Sequence, residues 1–434
     1  MSATATKIVL IGAGSAVFTR GLMADLILTG DSWNVALVDV DQEALDTAFA
    51  LSRRMIMERG APIELSAETD RRAALRGSDF VVSTIGVGGR RAWEQDVFIP
   101  REYGIFQPVG DTIMPGGISR ALRQIPATVA IARDIATLAP NARFFNYANP
   151  MAAICRAVQK ATHVDIVGLC HGVPDAERNV AALFGVAQER CSFTAVGMNH
   201  LTFFVQVLVD GQDALRQLRS IVEGSSPERG EELRRALFLE TGLYSVLHDR
   251  HLAEFFPQFH ADGRHPGGRL GVDLFSFEAT IRNGDVGYAE MVEQAHGRKP
   301  LDLGVFDHQV GEHEQLVEII RSLPGKSRKR YSVNLPNAGQ ISNLPRELPL
   351  ECPAEVGENT IRAVEVGSVP RFLEVVVTQR LEVIELAVEA ALTLDKRAFL
   401  EAIIADGSAP SVRTAIELSD RLWKANEPFL NDTP

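Results

Sequence analysis

"KIVLIGAGSAVFTRGLMADLIL" spans residues 7–28. Four apolar residues, Ile8 to Ile11, run into Gly12-Ala13-Gly14, and a helical apolar pattern follows. The order is strand, tight turn, helix, which opens a dinucleotide-binding βα unit. Gly12 permits the turn. Gly14 lets backbone amides approach a pyrophosphate, and the helix N-terminus favours its charge. The third glycine of the fingerprint is missing, and Val17 holds its place. A second apolar strand, "NVALVDVD", reaches Asp39, 22 residues beyond Val17. A ribose-binding carboxylate is expected there, and Asp39 would repel a 2′-phosphate, so NAD+ is favoured over NADP+. The competing reading is a doubly wound domain with a plain βα turn.

The α/β pattern continues. Residues 41–59 read as a helix. "DFVVSTIGVGG" (79–89) reads as a buried strand ending in glycines, with Gly86 placed for a ligand's approach. Apolar residues at 118, 122, 125 and 129 have helical spacing, with a kink expected at Pro126. "RFFNYANP" (143–150) and "DIVGLCHG" (165–172) are further strands. Ligands sit beyond the carboxyl ends of such strands, so Gly86, Asn149 and Cys170 should face one crevice. Long antiparallel strands are expected over 190–210, helices over 213–247 and 311–323, and two helices over 374–406. The predicted architecture is α/β. A Rossmann-type doubly wound parallel sheet fills residues 1–165, and a mixed α/β metal- and sugar-binding domain fills 166–434.

Composition narrows the function. The chain has 434 residues, 46% of them hydrophobic, and a net charge of −12. That charge argues against nucleic acid or an anionic membrane as a partner. No apolar run reaches the length of about 18 residues that a membrane span needs. Four scattered cysteines do not form a disulfide framework, and the chain reads as cytoplasmic.

Two stretches carry chemistry. Cys170-His171 end one strand, and Asn199-His200 interrupt an apolar strand pattern thirty residues later. Thiolate and imidazole are both ligands for a divalent transition metal. On the residues alone the stronger reading is that Cys170 is a small core residue and His200 a satisfied buried histidine, with the metal pair as the alternative. "LHDRHLAEFFPQFHADGRH" (247–265) gathers His248, Asp249, His251, Glu254, His260 and His265. His251 and Glu254, at i and i+3, can share a helical face.

The pieces "GAGS", "VGDTIMPGGISRALRQIP", "NYANPMA", "GLCHGV", "GMNH" and "VNLPNAGQISNLP" occur in this order. Together they resemble glycoside hydrolase family 4, the NAD- and manganese-dependent glycosidases, from about residue 7 to about residue 370. That family stands outside two-carboxylate glycoside hydrolysis. The resemblance implies a lactate/malate dehydrogenase-like fold and a retaining route. NAD+ oxidises the sugar at C3, a base takes the C2 proton, and the metal stabilises the enediolate. The aglycone leaves by elimination, water adds, and the hydride returns.

By this resemblance Cys170 and His200 hold Mn2+ or another divalent metal. Gly12, Gly14, Ser15, Asp39 and Gly86 bind NAD+. Asn149, Asn199 and Glu254 contact the sugar, and Asp111 lies at its hydroxyls. His171 points away from 6-phospho sugars and serves as general acid. His251 is the C2 base, with Tyr244 as the fallback. Met114 stands where the family often has glycine. The expected substrate is an unphosphorylated α-galactoside, α-glucoside or α-uronide, "DRHLAEFFP" looking closest to the α-galacturonidase-like branch. Arg90, Arg91, Arg264 and Arg269 read as surface residues rather than uronate ligands. A homodimer or homotetramer is expected. The rival readings are an NAD-dependent hydroxy-acid or sugar dehydrogenase with net oxidation, and an NAD-binding protein without turnover.

Overall fold

The computed structural model describes residues 5–15, 18–226, 230–260, 276–307 and 315–430. Val17, His265, Arg264 and Arg269 lie outside the described residues. In chain order the strands are β1 (Thr6–Ile11), β2 (Trp33–Val38), β3 (Ile63–Glu68), β4 (Phe80–Ser83), β5 (Arg143–Asn146) and β6 (Ile166–Gly168). Then come β7 (Cys191–Met198), β8 (Leu201–Val209), β9 (Gln212–Asp213), β10 (Tyr244–Ser245), β11 (Lys329–Pro336), β12 (Pro349–Gly357) and β13 (Thr360–Ala363).

The first six strands are parallel in the order β3-β2-β1-β4-β5-β6, the doubly wound order expected from the glycine turn. The sheet does not stop at the expected boundary after residue 165. β6 pairs parallel with β5, and antiparallel β11 continues the sheet through β12, β7, β8 and β10.

The apolar run of β1 follows from burial on both faces. Ile8 and Leu10 pack with the helices Phe18–Leu28 and Gln42–Arg59 on one side. Val9 and Ile11 pack with the helices Met114–Leu138 and Arg371–Thr393 on the other. Successive side chains of a strand point to opposite faces, so every residue needs to be apolar.

Several elements are shorter than the sequence indicated. The strand in 79–89 ends at Ser83. The helix read over 213–247 is two, Leu215–Gly224 and Glu232–Thr241. The second stops at Gly242, whose φ is +76°, and Tyr244–Ser245 then pairs with β8. The helix in 311–323 covers Leu316–Ser322. The two helices of 374–406 run Arg371–Thr393 and Lys396–Asp406. The helix Met114–Leu138 continues through Pro126.

Met114 adopts φ +59°, a left-handed conformation suited to the glycine the resemblance led us to expect. That conformation costs a side-chain-bearing residue about 1–2 kcal/mol. Met114 is only 1% exposed, and burying its side chain contributes about 1.5–3 kcal/mol, so packing outweighs the strain.

Candidate active site

The loops after β1 and β4 form the dinucleotide side. Gly12 has φ +89°, and a Cβ there would lie 2.8 Å from the Ile85 backbone nitrogen, so only glycine fits. Gly14 plays a different part from the one expected. Its N–H donates to Asp39 Oδ2 at 2.7 Å, and a Cβ would meet the Ala44 Cβ at 2.7 Å. The other Asp39 oxygen accepts from the Asp41 N–H at 3.0 Å. Two backbone donors thus orient the Asp39 carboxylate, each oxygen keeping a lone pair for a ribose hydroxyl. Ser15 Oγ accepts from the Phe18 N–H at the start of the first helix. Gly86 has open space above it, as a ligand's approach requires.

A second cluster of polar side chains is built from four segments far apart in sequence. The turn joining β7 to β8 consists of Asn199 and His200, with His200 at φ +70°. His200 is 6% exposed, and its Nδ1 lies 2.7 Å from the Thr112 hydroxyl. That hydroxyl donates to Asp111 Oδ1 at 2.6 Å. A hydroxyl has one proton, so His200 Nδ1 must carry its own and donate it to Thr112. His200 Nε2 is then left as a lone pair. Asp111 Oδ2 accepts from the Asn149 amide at 3.0 Å. Arg120 Nε donates to the Asn149 carbonyl at 3.0 Å, which fixes the residue after β5.

His251, in the turn Asp249–Leu252, completes the group. Its ring centroid is 4.3 Å from that of His200. Ligand atoms of Asp111, His200 and His251 lie within 4.8 Å of one another. Burial lowers the pKa of His200 and drops that of His251 well below the usual imidazole range. Both rings are therefore neutral at neutral pH, as a metal ligand or a base must be. Burial opposes charge on Asp111, but His200 and His251 when protonated in acid, together with Arg120 and the Thr112 hydroxyl, outweigh it and hold the carboxyl below its usual range.

Cys170 is 7% exposed, and the Gly172 N–H, at the start of the helix Gly172–Phe184, donates to its sulfur at 3.5 Å. Cys170 is outside the Asp111–His200–His251 group. His171 stands at the head of the same helix and acts electrostatically on both His200 and His251. Asn149 Oδ1, both amide atoms of Asn199 and Arg250 Nε are buried without a hydrogen-bond partner among the described residues. Buried polar atoms left open around a cluster of imidazole and carboxylate are what a bound metal and sugar hydroxyls would satisfy.

Glu254 is tied to the loop before Asp111. It is 2% exposed, and its Oε1 accepts from the N–H groups of Val109 and Gly110 at 2.7 and 2.8 Å. It holds the loop that delivers Asp111. Burial pushes its carboxyl up to about 8, against the pull of those two donors. An unfolded glutamate titrates near about 4.3, so between the two values the folded chain keeps a proton the unfolded chain has lost. Stability from this group therefore falls as pH rises through that window. Glu254→Gln keeps the acceptor and removes the titration. Its melting temperature relative to wild type should climb between about pH 5 and about pH 8. A pH-independent difference in thermal melts contradicts this.

The remaining residues singled out in the sequence are accounted for. Tyr244 is 4% exposed and packs among Phe204 and Phe238, away from the imidazoles' cluster. Asp249 accepts from the N–H groups of Leu233 and Arg234 and caps a helix. His248 is exposed and pairs with Glu231. Arg90 and Arg91 pair with Asp285 at the surface. Thr112, Arg120 and Arg250 escaped the sequence reading. Each adjoins or lies within a motif quoted for other residues, and none has a local signal of its own.

Residues 7–186 match the model of the family 4 glycosyl hydrolases, and residues 195–408 match that of the family 4 glycosyl hydrolase C-terminal domain. The chain belongs to glycosyl hydrolase family 4. An alpha-galactosidase of Rhizobium meliloti is 31% identical, the match covering 95% of this chain and 86% of that one. An alpha-galacturonidase of Bacillus subtilis is 30% identical, with 92% of each covered. The solved structure of lplD from Bacillus subtilis superposes with a TM-score of 0.86 at 27% identity, covering 96% of this chain and 99% of that chain. At 20% identity the fold extends to a 6-phospho-alpha-glucosidase from gut microorganisms, solved with NAD and Mn2+. Its TM-score is 0.84, with 98% and 99% covered. At 14% it extends to the malate dehydrogenase of Cryptosporidium parvum, with a TM-score of 0.51 and 90% and 100% covered. The dehydrogenase-like fold is thus shared, but family membership makes this chain a glycosidase. Among the described residues no helix is long and apolar enough to cross a membrane.

Proposed function

We propose that this family 4 glycosidase is an NAD+- and Mn2+-dependent retaining enzyme acting on unphosphorylated α-glycosides, with α-galactosides and α-uronides foremost. The observation that carries the proposal is the Asp111–Thr112–His200 relay, which leaves a neutral imidazole lone pair beside His251. His200 and Cys170 would hold the metal, with Asp111 steadying His200, and the glycine turn with Asp39 would hold NAD+. When bound, the two cofactors supply a hydride acceptor for C3 and a Lewis acid for charge at C2 and C3. The rest falls to the side chains. His251 takes the C2 proton, its low basicity keeping it free to accept one. His171 gives a proton to the leaving oxygen. Asn149 and Asn199, whose open atoms have no partner among the described residues, bind sugar hydroxyls. The alpha-galacturonidase relative at 30% identity and the alpha-galactosidase at 31% favour these two sugar classes about equally.

The test is hydrolysis of aryl α- and β-galactosides, glucosides and uronides with NAD+, Mn2+ and a thiol reductant, each then omitted in turn. Turnover of an α-glycoside that needs both cofactors without net NADH is expected. Steady NADH accumulation would instead support a net dehydrogenase, and turnover without NAD+ would defeat the proposal.

A further inference from the structure

Three polar side chains lie deep in the sheet without a part in the site. Thr202 and Asn334 are 0% exposed and Glu351 is 1% exposed. They fall on one row of register partners that crosses five strands. Thr202 on β8 faces Gly197 on β7, Gly197 faces Glu351 on β12, Glu351 faces Asn334 on β11, and Asn334 faces Gly168 on β6. Gly197↔Glu351 is the one register pair described between β7 and β12, and Asn334↔Gly168 the one described between β11 and β6. The row is therefore the seam joining the parallel half of the sheet to the hairpin that carries His200. Its two ends lie two residues from the site: Gly168 precedes Cys170, and Thr202 follows His200.

The seam is tight at both glycines. A Cβ on Gly168 would lie 2.9 Å from the Asn334 Cβ, and one on Gly197 would overlap the Leu201 carbonyl oxygen. The Thr202 hydroxyl donates to Glu351 Oε2 and also lies 3.0 Å from the Met198 carbonyl, at the base of the Asn199–His200 turn. Glu351 Oε1 and the Asn334 amide atoms make no hydrogen bond of good geometry among the described residues, yet the Asn334 amide lies near enough to Glu351 to draw its carboxyl down against burial. Burial pushes the Glu351 carboxyl up to about 7, so the neutral acid is accessible and an amide can replace it. Apolar residues would fill this space at lower cost, but apolar packing is not directional, and hydrogen bonds are.

We propose that Glu351 and its register partner Asn334 are positioning residues that fix the His200 turn relative to the Cys170 strand through Thr202. The proposal rests on the reading of His200 and Cys170 as metal ligands. Groups behind a metal's ligands typically alter its affinity by about 10–100-fold when removed.

The test is Mn2+ affinity of the full chain by EPR titration of free Mn2+, with NAD+ affinity and melting temperature measured in parallel. Thr202→Val and Glu351→Leu should weaken Mn2+ binding by about 10–100-fold with NAD+ affinity unchanged. Glu351→Gln, which keeps the acceptor for Thr202, should bind Mn2+ close to wild type. Wild-type Mn2+ affinity in Thr202→Val overturns the proposal, even if Glu351→Leu fails to fold. His200→Ala is the control. If it too binds Mn2+ normally, the reading of His200 as a ligand falls along with the inference. If it alone loses Mn2+, the ligand stands and the seam does not.

Discussion

Turnover of a cleavable glycoside should fall about 1000-fold or more in His200→Ala, with NAD+ affinity unchanged. The size follows from the job proposed for the site. Stabilising negative charge at C2 and C3 by a Lewis acid is worth several kcal/mol, and about 4 kcal/mol is a factor of about 1000. The selectivity follows from the geometry. His200 is tied to Asp111 through Thr112, whereas the glycine turn and Asp39 form their own set of backbone hydrogen bonds. Cys170→Ser should show the same pattern, because a hydroxyl is a poor substitute for a thiolate on a transition metal. Kinetics with varied Mn2+, beside an NAD+ titration, check both variants. His200→Ala with wild-type turnover would remove the metal from the mechanism.

The second large effect belongs to His251. Positioned general bases contribute about 100- to 10,000-fold, and His251→Ala should lose that much in kcat. The interest lies in what else changes. His251 sits close enough to Asp111 and His200 to be a third metal ligand rather than a base. A ligand's loss weakens Mn2+ binding; a base's loss lowers kcat and leaves Mn2+ affinity near wild type. We expect the second result. A fall in Mn2+ affinity comparable with that of His200→Ala would make His251 a ligand and leave the C2 proton to another group.

What was legible in the sequence follows the range of the forces involved. The glycine turn, β1 and the helix after it are local: an apolar run, a residue that tolerates φ +89°, and a helical period lie within 22 residues. Met114 stood out only through the resemblance, as a side chain where the family often has glycine, and the structure shows why glycine suits that position. The His200 relay was not legible. It joins Thr112 to a residue 88 positions away, and no periodicity records such a pairing. Glu254, which the resemblance led us to expect at the sugar, has one carboxylate oxygen held by the N–H groups of Val109 and Gly110, 145 and 144 residues away, a contact that no sequence pattern records. His251 and Tyr244 were alternatives in sequence. Packing separates them, because the Tyr244 ring lies against Phe204 and Phe238 while the His251 ring lies against His200.

The sequence by itself determined the doubly wound half and the ordered motifs of the family, because each depends on neighbours in the chain. The tertiary structure alone decided which side chains meet beyond the strand ends, which neutral nitrogen is left open, and which carboxylate oxygens are taken by backbone N–H groups. Those outcomes depend on burial and on hydrogen bonds between distant segments, and only the folded sheet brings these groups within reach of one another.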